Sequence, residues 1–170
     1  YLTLGKMRGD LTSRFQRISI RTITVYCEGT IFPVDMTLAF YVASLLETIK
    51  ITPMTAGMAG VKNMNGTFRY CSALQRVDGV LDVSSAEESI TNSFVGCAKL
   101  QEVRMHGINS SVIFKDSPLL SVESITYMVE NAINTAPITI TLHPDAYARI
   151  TDEIITAATA KQINFATETA

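Results

Sequence analysis

Two kinds of apolar pattern run along this chain, and one of them recurs at near-constant spacing. Phe68, Cys71, Leu74 and Val77 follow one another with two residues between each. Phe94, Cys97, Leu100 and Val103 repeat the order 26 residues later, and Phe40, Ala43, Leu46 and Ile49 precede it by 28. Met64 and Ile90 add a matching apolar position upstream, and Ile51 and Met105 follow Ile49 and Val103 by two. A period of this length belongs to a unit that cannot bury its own apolar side and shares a core with its stacked neighbours.

Within each unit the last positions predict a short strand. Ile49 and Ile51, Val77, and Val103 and Met105 would point inward at alternate positions. The Phe, Cys and Leu slots would form parallel ladders behind them. Fainter copies flank these units: Phe15–Ile20 fits the strand half, Ile138–Leu142 alternates cleanly, and Ile163–Phe165 closes the series. Six strands are therefore predicted, near residues 18, 49, 77, 103, 138 and 163. Gly66, Gly79, Gly96 and Gly107 are expected where the chain turns a corner.

The last third changes period. Val122, Ile125, Val129 and Ala132 share one helical face, with Ser121 as N-cap and Glu123 in the first turn. A second helix is expected to start at Pro144, a residue suited to a first helical position, and to run towards Ala160. Its apolar set is Tyr147, Ile150, Ile154, Ile155 and Ala158. The last helix with strand 163–165 could cover the end of the stack.

The unit x-[ST]-F-x-x-C-x-x-L-x-x-V resembles the BspA-like leucine-rich repeats of bacterial surface proteins. Thr67-Phe68, Cys71, Leu74 and Val77 carry the match, as do Ser93-Phe94, Cys97, Leu100 and Val103. The ending, from Phe114–Leu120 through Ser124-Ile125 and Ile138–Pro144 to Ile163–Ala166, is similar to C-terminal segments of such proteins in gut anaerobes and their phages. The resemblance covers roughly residues 36–167. It implies a secreted, surface-attached or tail-associated binding protein. The expected fold is α/β: a leucine-rich-repeat solenoid of short parallel strands, with irregular coils in the N-terminal part and strand–helix repeats at the C-terminal end. Residues 1–35 are expected to be a capping or partial repeat segment, and 36–170 the repeat domain with its C-terminal helical cap.

Composition narrows the function. Of 170 residues, 47% are hydrophobic and 18% charged, which suits a folded domain with a sizeable core. The net charge of −2 comes from 14 basic and 16 acidic residues spread along the chain. No basic block is available for nucleic acid or anionic lipid. No apolar run approaches the ~20 residues of a membrane span, so no membrane insertion is expected. The start at Tyr1 reads as a piece cut from a larger precursor or a mature form. Three cysteines make no disulfide framework. Cys71 and Cys97 occupy equivalent slots, within reach of a bridge, yet ladder geometry favours two buried free thiols. Cys27 has no obvious partner.

Chemistry finds few footholds. His106 and His143 read as corner or cap residues, because catalysis needs a partner acid or nucleophile and the sequence offers no complete set. An enzymatic reading would pair one of them with Asp145 or Asp116. No H-x-x-x-H, H-E-x-x-H or C-x-x-C spacing points to a zinc site, and no cofactor is implied. Gly57–Gly60 looks like a corner and not a phosphate loop. Asp82 and Glu87-Glu88 read as a solvated acidic connection, too sparse in oxygens for calcium.

There remains the outward face of the strands. Ser19, Lys50, Asp78, Arg104, Thr139 and Asn164 should project from it, with Thr48, Arg76 and Glu102 one position before the inward residues. The rows would read Lys50–Asp78–Arg104 and Thr48–Arg76–Glu102, so opposite charges meet across neighbouring strands. Such a face presents little net field. The candidate binding face is therefore Thr48, Lys50, Arg76, Asp78, Glu102, Arg104, Thr139 and Asn164. The function expected is a non-catalytic binding or adhesion module with a protein or glycan partner, held outside the cell, on its surface or on a particle. The alternative is a structural spacer or assembly domain of a larger surface or phage tail-associated protein.

Overall fold

The computed structural model describes residues 2–4, 11–26, 34–52, 61–86 and 89–169. Strands β1 (Leu2–Leu4), β2 (Thr22–Tyr26), β3 (Val34–Asp35), β4 (Thr48–Thr52), β5 (Val61–Asn63), β6 (Arg76–Asp82) and β7 (Glu102–His106) come first. Then follow β8 (Val112–Phe114), helix α1 (Val122–Glu130), β9 (Ile138–Leu142), α2 (Pro144–Tyr147), α3 (Asp152–Ala160) and β10 (Ile163–Thr167). The chain is α/β, and among the described residues every strand pairing is parallel. One sheet has the order β1-β2-β4-β6-β7, a second β10-β9-β8, and β3 pairs with β5.

The core lies along the phenylalanine slot. Phe15, Phe40, Phe68, Phe94 and Phe114 stack in one line with ring centroids 5.3, 5.6, 5.4 and 5.2 Å apart. The line expected from Phe40, Phe68 and Phe94 thus extends by one ring at each end. Phe40, Phe68, Phe94 and Phe114 are completely buried, as are Leu46, Leu74 and Leu100. Ile49, Val77, Val103 and Met105 point inward as expected. The side chain of Ile51 lies outside the described residues.

The residues around each phenylalanine tie one unit to the next. Thr67 Oγ1 reaches the carbonyls of Met64 and Met36, and Ser93 Oγ those of Ile90 and Met64. Cys71 and Cys97 donate their thiol protons to the Phe40 and Phe68 carbonyls, one unit back. This is the physical content of the [ST]-F-x-x-C spacing: small donors that satisfy carbonyls buried between layers. Both thiols are free and buried. Burial pushes the Cys71 thiol up to about 12 and the Cys97 thiol well above its ordinary value. Cys27 lies outside the described residues.

Several expectations need correction. Phe15–Ile20 is not a strand: it is the turn half of a unit, Phe15 filling the phenylalanine slot, and the strand follows at Thr22–Tyr26. The spacing from ring to strand is one residue shorter here, Phe15 to Ile23 against Phe40 to Ile49, which hid the match. Ser19 is consequently not a strand residue, and Thr24 stands opposite Lys50. Gly79 turns no corner but sits inside β6 at φ +104°.

The expected helix from Pro144 to Ala160 is two helices. His143 caps α2 through its Nδ1, which accepts the Asp145 N–H. The chain then becomes extended at Thr151, and α3 restarts there with Asp152 and Glu153 in its first turn. Helix α1 forms as predicted, Ser121 accepting the Ser124 N–H.

Candidate functional site

The solvent side of the five-stranded sheet is built by alternation. With Ile49, Val77 and Val103 turned inward, their neighbours on either side face out. Thr48 stands opposite Arg76 and Lys50 opposite Asp78, and Arg76 stands opposite Glu102. The expected row Thr48–Arg76–Glu102 therefore exists. The other row breaks. Arg76 faces Glu102, 26 positions on, whereas Val80 faces Arg104, only 24 on, so β6 carries two extra residues. Arg104 stands opposite Val80 and not Asp78.

That bulge rearranges the charges. The Arg76 guanidinium donates to Glu102 Oε2 at 2.6 Å, and its Nε lies 2.8 Å from Asp78 Oδ1. The hydrogen bond to Glu102 and the charge of Asp78 raise the Arg76 pKa. Asp78 is thus held by its strand neighbour Arg76, and the expected cross-strand pairs of Asp78 with Lys50 and Arg104 do not form. Among the described residues neither the Lys50 nor the Arg104 side chain has a hydrogen-bond or ion-pair partner. All of these charges stand in solvent, where pairing adds little to stability.

The bulge also opens a cleft of about 310 Å³. Its walls are Arg76, Asp78 and Gly79 of β6, Glu102 and Arg104 of β7, and Glu123 of α1. Helix α1 closes one side because it takes the place beside β7 that a further strand would occupy. Ser121 N–H donates to the Gln101 carbonyl, and Val103 N–H donates to Ser124 Oγ. Four of the eight candidate residues, Arg76, Asp78, Glu102 and Arg104, meet in this cleft, with Thr48 and Lys50 on the neighbouring strand.

Thr139 and Asn164 do not join them. They are register partners on the other sheet, β9 to β10. The sequence missed Glu123 as a wall of the site, since it reads there only as a helix first-turn residue. A signal for the bulge was present: a glycine inside a strand pattern, at Asp78-Gly79, marks an extra residue or a close approach.

The remaining polar candidates make local contacts. His106 ends β7, its Nδ1 3.4 Å from Asn131 Oδ1. His143 lies 3.6 Å from Asp145 but serves as the α2 cap. Asp116 accepts the Gly96 N–H. Asp82 is buried, contrary to the solvated reading, and accepts both the backbone N–H and the hydroxyl of Ser84. Glu87, Glu88 and Gly57–Gly60 lie outside the described residues. Among the described residues no three His, Cys, Asp or Glu side chains converge on a metal position, and no helix is long and apolar enough to cross a membrane. No family model, characterised protein or solved structure matches the chain.

Proposed function

We propose that the chain is a leucine-rich-repeat solenoid of the BspA-like kind, acting as a non-catalytic binding or adhesion module. Its work is to present the exposed face of the five-stranded sheet to a protein or glycan outside the cell, on a surface or on a particle. The observation that carries this reading is the polar cleft at the β6 bulge, where Arg104 stands without a partner beside the Arg76–Asp78–Glu102 group. With Arg76 and Arg104 set against Asp78, Glu102 and Glu123, the cleft offers many hydrogen-bonding groups without a strong net field. That chemistry suits sugar hydroxyls or the polar rim of a protein surface better than a polyanion. The repeated slots and the parallel strands support the architectural half of the proposal.

The test is binding of the purified chain to a broad glycan array and to extracellular-matrix proteins, repeated with Lys50→Glu and Arg104→Glu. A reproducible hit lost in the Arg104→Glu variant supports the reading. Silence across the panel refutes it in favour of a spacer, and a hit indifferent to both substitutions moves the site off this face.

A further inference from the structure

Among the described residues nothing packs on the outer side of the first turn segment, residues 11–20. Leu11, Phe15, Ile18 and Ile20 are only partly buried. Their counterparts one unit on, Met36, Phe40, Ala43 and Leu46, are at most 8% exposed. Phe15 stacks on Phe40, and among the described residues no ring covers its other face.

The main chain gives this face a polarity. Phe15, Phe40 and Phe68 each donate their N–H forward, to the carbonyls of Ala39, Thr67 and Ser93 just before the next phenylalanine. Arg17, Val42 and Tyr70 donate in the same way to Tyr41, Arg69 and Val95. The equivalent carbonyls in the first segment are those of Arg14 and Gln16, and no backbone donor among the described residues reaches them. The face therefore offers acceptors between partly buried apolar side chains, and whatever covers it must bring donors. A second copy set face to face would place acceptors against acceptors.

Strand β1 supplies the remaining clue. It lies beside β2 with Leu2 opposite Ile23, which makes it the strand half of a unit preceding residues 11–26. We propose that this face docks one further turn segment of the same chemistry, running into β1. Its phenylalanine stacks on Phe15, and two of its N–H groups reach the carbonyls of Arg14 and Gln16. The inference stands on the ring and hydrogen-bond ladders alone and does not depend on what the sheet face binds.

The register dictates the experiment. Leu2 faces Ile23, Ile23 faces Ile49, and Ile49 faces Val77. A copy of residues 64–75 fused directly ahead of Tyr1 therefore enters β1 in register, Tyr1 taking the place of Arg76. The fusion should melt roughly 5 °C or more above the parent. Phe68→Ala made in the fused copy alone should abolish the gain, and Phe15→Ala should cost more in the fusion than in the parent. A fusion that melts with the parent or below it, or a gain that survives Phe68→Ala in the copy, overturns the proposal. A parent that is dimeric in sedimentation while the fusion is monomeric overturns the choice of occupant and gives the face to a second copy.

Discussion

Truncating Phe68 to alanine tests the ladder at its middle. The ring is completely buried and lies between two others, 5.6 Å from Phe40 and 5.4 Å from Phe94. A buried Phe→Ala change costs about 3–5 kcal/mol through lost transfer energy and the cavity left behind. Each stacked ring pair adds roughly 0.5–1.5 kcal/mol beyond area, which puts Phe68 towards the upper end. For a domain of this size each kcal/mol moves the melting temperature by about 2–4 °C, so the variant should melt on the order of 10 °C or more below the parent. Phe15→Ala is the internal control, because Phe15 is only partly buried and among the described residues has one ring partner. It should lose about half as much. Thermal melts followed by circular dichroism, with urea titrations alongside, read both variants. If Phe68→Ala melts with the parent, or costs no more than Phe15→Ala, the ring line is not what holds the units together.

Gly96→Ala should be far more damaging than Gly66→Ala. Both have positive φ, worth about 1–2 kcal/mol against a side chain. A Cβ on Gly96 meets Tyr70 at 2.5 Å and its backbone Cα at 3.1 Å, whereas at Gly66 it meets the movable end of Leu38. Urea titration should order them clearly, and equal losses would count against the close approach at Tyr70. The Cys71 thiol predicts an alkaline weakness. Its folded pKa, about 12, stands above the ordinary 9.0, so the unfolded chain releases this proton first. The contribution is intact below pH 9.0 and is lost as pH rises towards 12, at up to ~1.4 kcal/mol per pH unit. Cys71→Ala should flatten the fall of stability above pH 9.0, and parallel pH profiles would refute the assignment. The folded parent should also resist thiol alkylation at pH 8 until urea unfolds it, judged by mass spectrometry.

What the residue order determined alone is what a side chain needs wherever it stands. Phe40, Phe68 and Phe94, with Leu and a small Ala or Cys at fixed offsets, must each be buried, and near-equal spacing lets them be buried on one another. The strands at 49, 77 and 103 and their parallel pairing follow from that arithmetic; those at 138 and 163 were legible from local alternation, and the Ser121 cap from a contact over three residues. What depended on neighbours was not legible. The first unit hid its strand because Phe15 and Ile23 are one residue closer than the pattern, and only the stack on Phe40 reveals the slot. Two extra residues in β6, marked in the sequence only by Gly79 inside a strand pattern, move Arg104 from Asp78 to Val80 and line the cleft. Helix α1 beside β7 ends the first sheet and sends Thr139 and Asn164 to another. Local burial is written into each residue; which residues face each other is settled only when strands pair and a helix takes the place of the next strand.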